Sequence, residues 1–355
     1  MNVEAFLTES VAQRASDIYI IENRPVTFKV NGRMVLFNDE KLTSDQTGEA
    51  IRALYRLAGG RSFDKLMKGD DDFAVALDGV GRFRVNAYRQ SLSLASVIRT
   101  IPIGLPDPEK LNIPEVIVNL ANFTRGIVLF TGTTGSGKST SLACLIDRIN
   151  STRQDHIITI EDPVEFRHPH KRGIVSHREL EADTESYVSA LRAAMRQVPD
   201  VILVGEMRDY ETISAAITAA ETGHLVFSTL HTIGAAPTVD RIIDVFPPNQ
   251  QNQIRTQLSV TLQAVVSQQL IPTLDNRRLP AYEIMIVNSA IRNLIRENKT
   301  FQIENVIQTS GSQGMKTMDM SLYELFHRRQ ISKENALLYS VNQQTMASRL
   351  SGQVR

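Results

Sequence analysis

Between Gly132 and Thr140 the chain reads Gly-Thr-Thr-Gly-Ser-Gly-Lys-Ser-Thr. A glycine, four residues and then Gly-Lys-Ser is the spacing of a phosphate-binding loop. Glycines there let the backbone curl until successive N–H groups point inward at phosphate oxygens. Lys138 supplies a cation for the β- and γ-phosphates, and the Ser139 hydroxyl is a ligand type that suits Mg²⁺. Thr133, Thr134, Gly135, Ser136, Gly137, Lys138, Ser139 and Thr140 are therefore the candidate nucleotide contacts. The flanks agree: an apolar strand over 126–131 enters the loop. A helix beginning at Lys138 leaves it and adds its N-terminal dipole. The chemistry implied is binding of ATP with Mg²⁺.

A phosphate cradle only binds, so hydrolysis needs acids. Ile157-Ile158-Thr159-Ile160 runs into Glu161 and Asp162, and Val201-Ile202-Leu203-Val204-Gly205 runs into Glu206. Acids at the carboxyl ends of buried strands stand where parallel sheets bind ligands. One carboxylate can orient and deprotonate the attacking water while the other holds the shell of the metal. Glu161 is assigned here as general base and Glu206 to Mg²⁺, although the sequence alone allows the exchange. A further strand lies between His224 and His231. A histidine at its carboxyl end, His231, can sense the γ-phosphate or bond to a catalytic carboxylate, and its position favours function more than that of His224. Arg82, Arg84 and Arg99 lie far upstream and are candidates for a cation lent to a neighbouring subunit's transition state. His168, His170 and His177 fall in a loop-like stretch without a suitably spaced acid or cysteine for a metal site.

These residues need a scaffold. From Leu111 onward short apolar strands alternate with helices: strands over 126–131, 157–161, 201–205 and 225–229, helices over 138–150, 184–196 and 209–221. That alternation predicts a parallel sheet covered on both faces. The last third reads as mostly helical, with one strand near 280–287. Residues 1–98 form a separate α/β pattern. Strands over 17–21, 26–30 and 34–37 include an Asn31-Gly32 hairpin signal, and a helix spans 43–58. A second hairpin turns at Asp78-Gly79, and in its return strand Phe83, Val85 and Ala87 face one way while Arg82 and Arg84 face the other. The proline-rich stretch that follows gives a linker over 99–113, leaving 114–355 as the nucleotide-binding domain with a mainly helical part from about 270.

Composition bounds the alternatives. The chain has 355 residues, more than one hydrophobic core usually serves. Lysine plus arginine equals aspartate plus glutamate, 39 each, so net charge argues for neither nucleic acid nor an anionic membrane. No apolar run approaches the roughly 18 residues that span a bilayer. Nor is there the basic start and apolar stretch of a secretory signal, so a cytoplasmic protein is expected. The lone Cys144 cannot make an internal disulfide or a cysteine zinc module.

The ordered stretches Gly132–Thr140, Ile158–Glu165, Val204–Asp209 and Thr222–Thr232 resemble the Walker A, Asp box, Walker B and His box of secretion-type ATPases. Within them the chain resembles the type IV pilus retraction branch, PilT and PilU. Ala290-Ile291-Arg292-Asn293-Leu294-Ile295-Arg296-Glu297 resembles a C-terminal stretch tied there to retraction. Gly81–Asn86 and Arg99–Pro102 resemble the N-terminal domain and linker. The resemblance implies a PAS-like N-terminal domain, a RecA-like ATPase domain and a homohexameric ring with ATP between the two domains. It also implies that Arg84 and Arg99 approach the nucleotide, with Arg82 weaker. The implied work is pilus disassembly against an inner-membrane platform protein, with a second retraction ATPase as a further partner. Direct nucleic-acid binding and membrane insertion are not expected. Tyr19 stands where the family carries a histidine. Gln197-Val198 and His177 also depart from the PilT pattern, while the intact Ala290–Glu297 stretch favours it. The rival readings are an assembly or secretion ATPase, a DNA-transport ATPase and a nucleotide-dependent scaffold that does not hydrolyse.

Overall fold

The computed structural model describes residues 2–101, 104–275 and 277–352. They divide into two compact units, Met1–Gly104 and Leu105–Arg355. In the first, helix α1 (Val3–Ala12) precedes strands β1 (Asp17–Ile20), β2 (Thr27–Val30) and β3 (Arg33–Leu36). Helices α2 (Ser44–Leu57) and α3 (Asp64–Lys68) follow, then β4 (Asp70–Leu77), β5 (Gly81–Gln90) and β6 (Ser93–Ile101). The six strands form one sheet ordered β3-β2-β1-β6-β5-β4. The expected hairpin turns on Asn31 and Gly32, both at positive φ (50° and 79°), as a two-residue turn between right-twisted strands requires. Helix α2 starts with a reciprocal cap in which the side chains of Thr43 and Gln46 each accept from the other's backbone N–H.

Two expectations for this region are corrected. Residues 93–101 were not expected as a strand, yet β6 pairs with β5 from Gln90↔Ser93 to Arg82↔Ile101. The linker therefore cannot begin at residue 99: Arg99 and Thr100 are ladder residues, and the Thr100 N–H donates to the Ser16 carbonyl at 3.1 Å. Pro102, the end of the Arg99–Pro102 stretch, lies outside the described residues.

The second unit begins with α4 (Glu115–Val118) and continues β7 (Gly126–Thr131), α5 (Lys138–Thr152), β8 (His156–Glu161), β9 (Ile174–Glu179) and α6 (Tyr187–Ala194). Then come β10 (Val201–Val204), α7 (Tyr210–Glu221), β11 (Leu225–Leu230), α8 (Ala235–Asp244), α9 (Pro248–Thr261), β12 (Leu262–Pro272) and β13 (Arg278–Ile286). Helices α10 (Ser289–Arg296), α11 (Ile303–Thr309), α12 (Met318–His327), α13 (Lys333–Leu338) and α14 (Gln343–Leu350) complete it. The sheet order is β13-β12-β7-β11-β10-β8-β9. Every neighbouring pair is parallel except β12 with β13.

The central strands are continuous apolar runs because both faces are covered. Alternate residues divide between two cores: Ile127, Leu129, Ile158, Ile160, Ile202 and Val204 enter one, while Val128, Phe130, Ile157, Val201, Leu203 and Phe227 enter the other. Each such side chain contributes about 1.5–3 kcal/mol on burial, which fixes register: a one-residue slip would exchange the two sets. Among the described residues no helix is long and apolar enough to cross a membrane.

Two strands were missed in this unit. The helical reading of the last third overlooked β12, which continues α9 with no intervening turn residue. Its run Leu-Gln-Ala-Val-Val-Ser-Gln-Gln is broken by polar residues, of which Gln268 backs the phosphate loop while Gln269 donates to the Tyr339 carbonyl. The loop assigned to His177 is partly β9, a parallel edge strand beside β8 from His156↔Ile174 to Glu161↔Glu179.

Candidate functional site

Strands β7, β11, β10 and β8 lie side by side and parallel, so their carboxyl ends form one rim. The phosphate loop leaves β7, His231 follows β11, Glu206 lies two residues beyond β10, and Glu161 ends β8. Residues scattered over about a hundred positions of sequence thus converge through strand order alone.

The loop itself is shaped from behind. Gly132 has φ +134°, and a Cβ there would lie 2.3 Å from the Gln268 carbonyl oxygen. Gly137 has φ +92°, and a Cβ there would lie 2.8 Å from Gln268 Nε2. Strand β12 presses on the loop at both points, so only glycine fits. Gln268 is buried, and its Oε1 accepts from Ser141 Oγ at 2.9 Å, tying the prop to helix α5. Thr133, Thr134 and Gly135 form the exposed tip, whereas Ser136 is buried and its Oγ has no hydrogen-bond partner among the described residues.

Lys138 is 8% exposed, and its Nζ donates to the carbonyls of Gly132 (2.7 Å) and Thr133 (3.0 Å). Burial lowers its pKa from the ordinary lysine value, and the carboxylates of Glu206 and Glu165 work against that shift. A cradle closed to any Cβ, a buried ammonium and an inward hydroxyl fit the phosphates of a nucleotide. Ser139 and Glu161 line one cavity with Gly205, Thr229, Leu203 and Phe166. Hydroxyl and carboxylate oxygens are the donor set that Mg²⁺ prefers, so the residues present fit that ion too.

Glu206 stands between two nitrogen-bearing side chains: its Oε1 lies 2.9 Å from His231 Nε2 and its Oε2 lies 2.7 Å from Arg208 Nη2. The bond to Glu206 raises the pKa of the Arg208 guanidinium. Asp209, three residues on, instead caps helix α7 by accepting from the Thr212 N–H at 2.8 Å. Of the acids after β10, one therefore serves the rim and one the helix. Tyr187, which the sequence did not single out, lies under this cluster. Its hydroxyl would be 3.1 Å from a Cβ on Gly205, and burial followed by the charges of Asp162, Glu206 and Glu161 raises its pKa. Arg208, Tyr187 and Gln268 were all missed, because nothing in their spacing distinguishes them from surface or core residues.

Residues 1–278 match the model of the family described as type II/IV secretion system protein. The chain is 46% identical over 336 residues to the type IV pilus retractation ATPase PilT of Pseudomonas aeruginosa, covering 95% of this chain and 97% of that one. It is 44% identical over 347 residues to a twitching motility protein of Neisseria gonorrhoeae, covering 98% and 92% respectively. The crystal structure of the pilus retraction motor PilT with bound ADP superposes with a TM-score of 0.89 at 43% identity, over 97% of this chain and 98% of that one. The chain belongs to the type II/IV secretion system protein family. It has the fold of the PilT ATPases, binds nucleotide and is an ATPase.

The other motif residues of this secretion-family ATPase are distributed as follows. His224 is at the amino end of β11, roughly 20 Å of strand away from His231. Its Nδ1 faces the Ala219 carbonyl at 2.9 Å at the end of α7, so it is not brought to the rim. Ala290, Ile291, Arg292, Asn293, Leu294, Ile295 and Arg296 lie on α10, and Glu297 caps its end. Ile291 and Ile295 are in the core, and Arg292 donates to the carbonyls of Ser259 and Val260 at 2.8 Å, closing the end of α9. Ala290, Asn293, Arg296 and Glu297 remain exposed.

In the first unit Arg84 and Arg99 are direct cross-strand neighbours on β5 and β6. Opposed like charges are relieved by Asp72, 2.5 Å from Arg84, and Asp17, 3.3 Å from Arg99. Arg82 lies two residues before Arg84 on the same face of β5, opposite Ile101.

The loop between β8 and β9 buries His168, which stacks on His177 with ring centroids 5.9 Å apart. His177 Nε2 accepts from the His168 N–H at 3.0 Å, so its Nδ1 carries the proton and donates to Thr159 Oγ1 at 2.8 Å. Burial, then His177, pushes the His168 pKa down to about 4, although Asp147 opposes this. A histidine whose folded-state pKa lies below its unfolded value near 6.5 gives stability that is complete above that value and lost as pH falls towards 4. Urea unfolding at pH 7 and pH 5 should therefore show a loss of about 2 kcal/mol that His168→Gln removes; an unchanged pH slope in the variant would contradict it.

Proposed function

We propose that this ATPase is a type IV pilus retraction motor: it hydrolyses ATP to drive pilus disassembly and twitching motility. The observation that carries the reading is a rim that gathers Lys138, Ser139, Glu161, Glu206 and His231, in a chain 46% identical to a pilus retraction ATPase over 95% of its length.

In this reading Lys138 releases the loop carbonyls to bind the β- and γ-phosphates. The backbone N–H groups of Thr133–Thr140 surround the phosphates. Ser139 and Glu206 would hold Mg²⁺, which would offset phosphate charge. Glu161, which lines the cavity beside Ser139, orients the attacking water and takes its proton. Arg84 and Arg99 are proposed as transition-state cations in a homohexamer, with Arg82 subsidiary. Ala290, Asn293, Arg296 and Glu297 are the exposed part of the retraction-associated stretch and face a partner. An inner-membrane platform protein and a second retraction ATPase are the expected partners, so the ring works in the cytoplasm, docked at the membrane through the pilus machine.

Deleting the gene should leave cells heavily piliated and unable to twitch. Bald cells would mean extension instead, and strong stimulation of ATP turnover by single-stranded DNA would mean DNA transport.

A further inference from the structure

One buried carboxylate lies away from the rim, in the middle of β13. Glu283 is 7% exposed. Its Oε1 accepts from the N–H of Ala235, the first residue of α8, at 2.7 Å. Its Oε2 accepts from the N–H of Met318, the first residue of α12, at 3.3 Å. The residue opposite it on β12 is Ser267, whose Oγ accepts from the Gly234 N–H at 3.0 Å. Two successive N–H groups at the start of α8 are thus received by a cross-strand pair. Burial raises the Glu283 pKa and the two backbone donors oppose it. Burying a carboxylate is costly, so an apolar residue would suit a merely filled core better.

The anchored chain is the one that follows His231. Only Thr232 and Ile233 separate His231 from the clamped Gly234 and Ala235, and Thr232 Oγ1 meets Thr238 Oγ1 at 2.7 Å on the first turns of α8. The next residue on β12 after Ser267 is Gln268, which shapes the phosphate loop. One strand pair therefore holds the loop through Gln268 and the segment after His231 through Ser267 and Glu283.

We propose that Glu283 and Ser267 are positioning residues for ATP hydrolysis, clamping the start of α8 so that the His231–Glu206 pair stays in register with the phosphate loop. The proposal rests on the assignment of His231 and Glu206 to the hydrolysing site. A displacement of about 1 Å at a reacting centre can cost a hundredfold in rate, so a loosened anchor should be visible in turnover.

The test is steady-state ATPase kinetics on the full chain for Glu283→Ala, Glu283→Gln, Ser267→Ala, His231→Ala and the double variant Glu283→Ala/His231→Ala, with thermal midpoints recorded alongside. Glu283→Ala should lower kcat about tenfold with KM for ATP within about twofold. Ser267→Ala should move kcat in the same direction by less, and Glu283→Gln, which keeps an acceptor for Ala235, should recover much of the loss. In the His231→Ala background the further loss from Glu283→Ala should fall below about twofold, because the clamp acts through that histidine. A lower midpoint with unchanged kcat, or losses that simply multiply in the double variant, would reduce Glu283 to a helix cap and overturn the proposal. If Glu283→Ala does not fold, Ser267→Ala and Glu283→Gln decide the matter by the same split. If His231→Ala alone leaves kcat unchanged, the assignment of His231 fails and takes the clamp with it.

Discussion

Replacing Lys138 by alanine is expected to lower ATP turnover by about a thousandfold or more. Lys138 is the ammonium buried in the loop, and its ties to the Gly132 and Thr133 carbonyls aim it at the space the loop encloses. Arg208, on the same rim, is paired with Glu206 and could replace Lys138 only by leaving that partner. Folding should suffer little. The lowered pKa of Lys138 records a desolvation cost, and losing that cost offsets the two lost hydrogen bonds. The measurement is phosphate release together with binding of a fluorescent ATP analogue and the thermal midpoint. Turnover within tenfold of wild type, in a folded variant, would mean that this loop does not hold the hydrolysed phosphate.

Glu161→Gln should separate binding from hydrolysis. The substitution keeps the shape of the side chain and its place in the cavity with Ser139, but removes the proton acceptor. General-base loss of this kind costs about 10²–10⁴ in rate. ATP should therefore remain bound and intact after rapid removal of free nucleotide. Glu206→Gln is the informative comparison. An amide cannot accept from both His231 and Arg208, so that variant should disturb the rim and weaken nucleotide binding as well as turnover. Normal turnover in Glu161→Gln with loss in Glu206→Gln would exchange the two roles.

Much of the nucleotide site is legible in the sequence because its parts are local. The loop from Gly132 to Thr140 is contiguous, and its entering strand and leaving helix are written in apolar runs beside it. Glu161 and Glu206 are legible for the same reason: each closes an apolar strand, and side chains at strand ends in a parallel sheet have a predictable place. Where polar residues enter a strand, the reading fails. Strand β12 is not legible because Ser267 and Gln268 break its apolar run, and they are polar because of contacts 127 positions away in sequence for Gln268 and 33 for Ser267. Edge strand β9 was missed because its exposed side relieves it of the apolar pattern that marks the central strands.

The sequence by itself pointed to a nucleotide-binding loop at Gly132–Thr140 and to the acids that stand at strand ends. Local pattern is enough for that, because a glycine-rich turn and a buried strand each form from their own residues. Only the tertiary structure decided which of two histidines reaches the rim, since strand direction sends His231 to it and His224 to the opposite end. Only it paired Glu206 with His231 and Arg208, and set Gln268 behind the glycines. The strand order β12-β7-β11-β10-β8 brings those groups within hydrogen-bond reach, and that order is fixed by the burial of two apolar faces over the whole sheet.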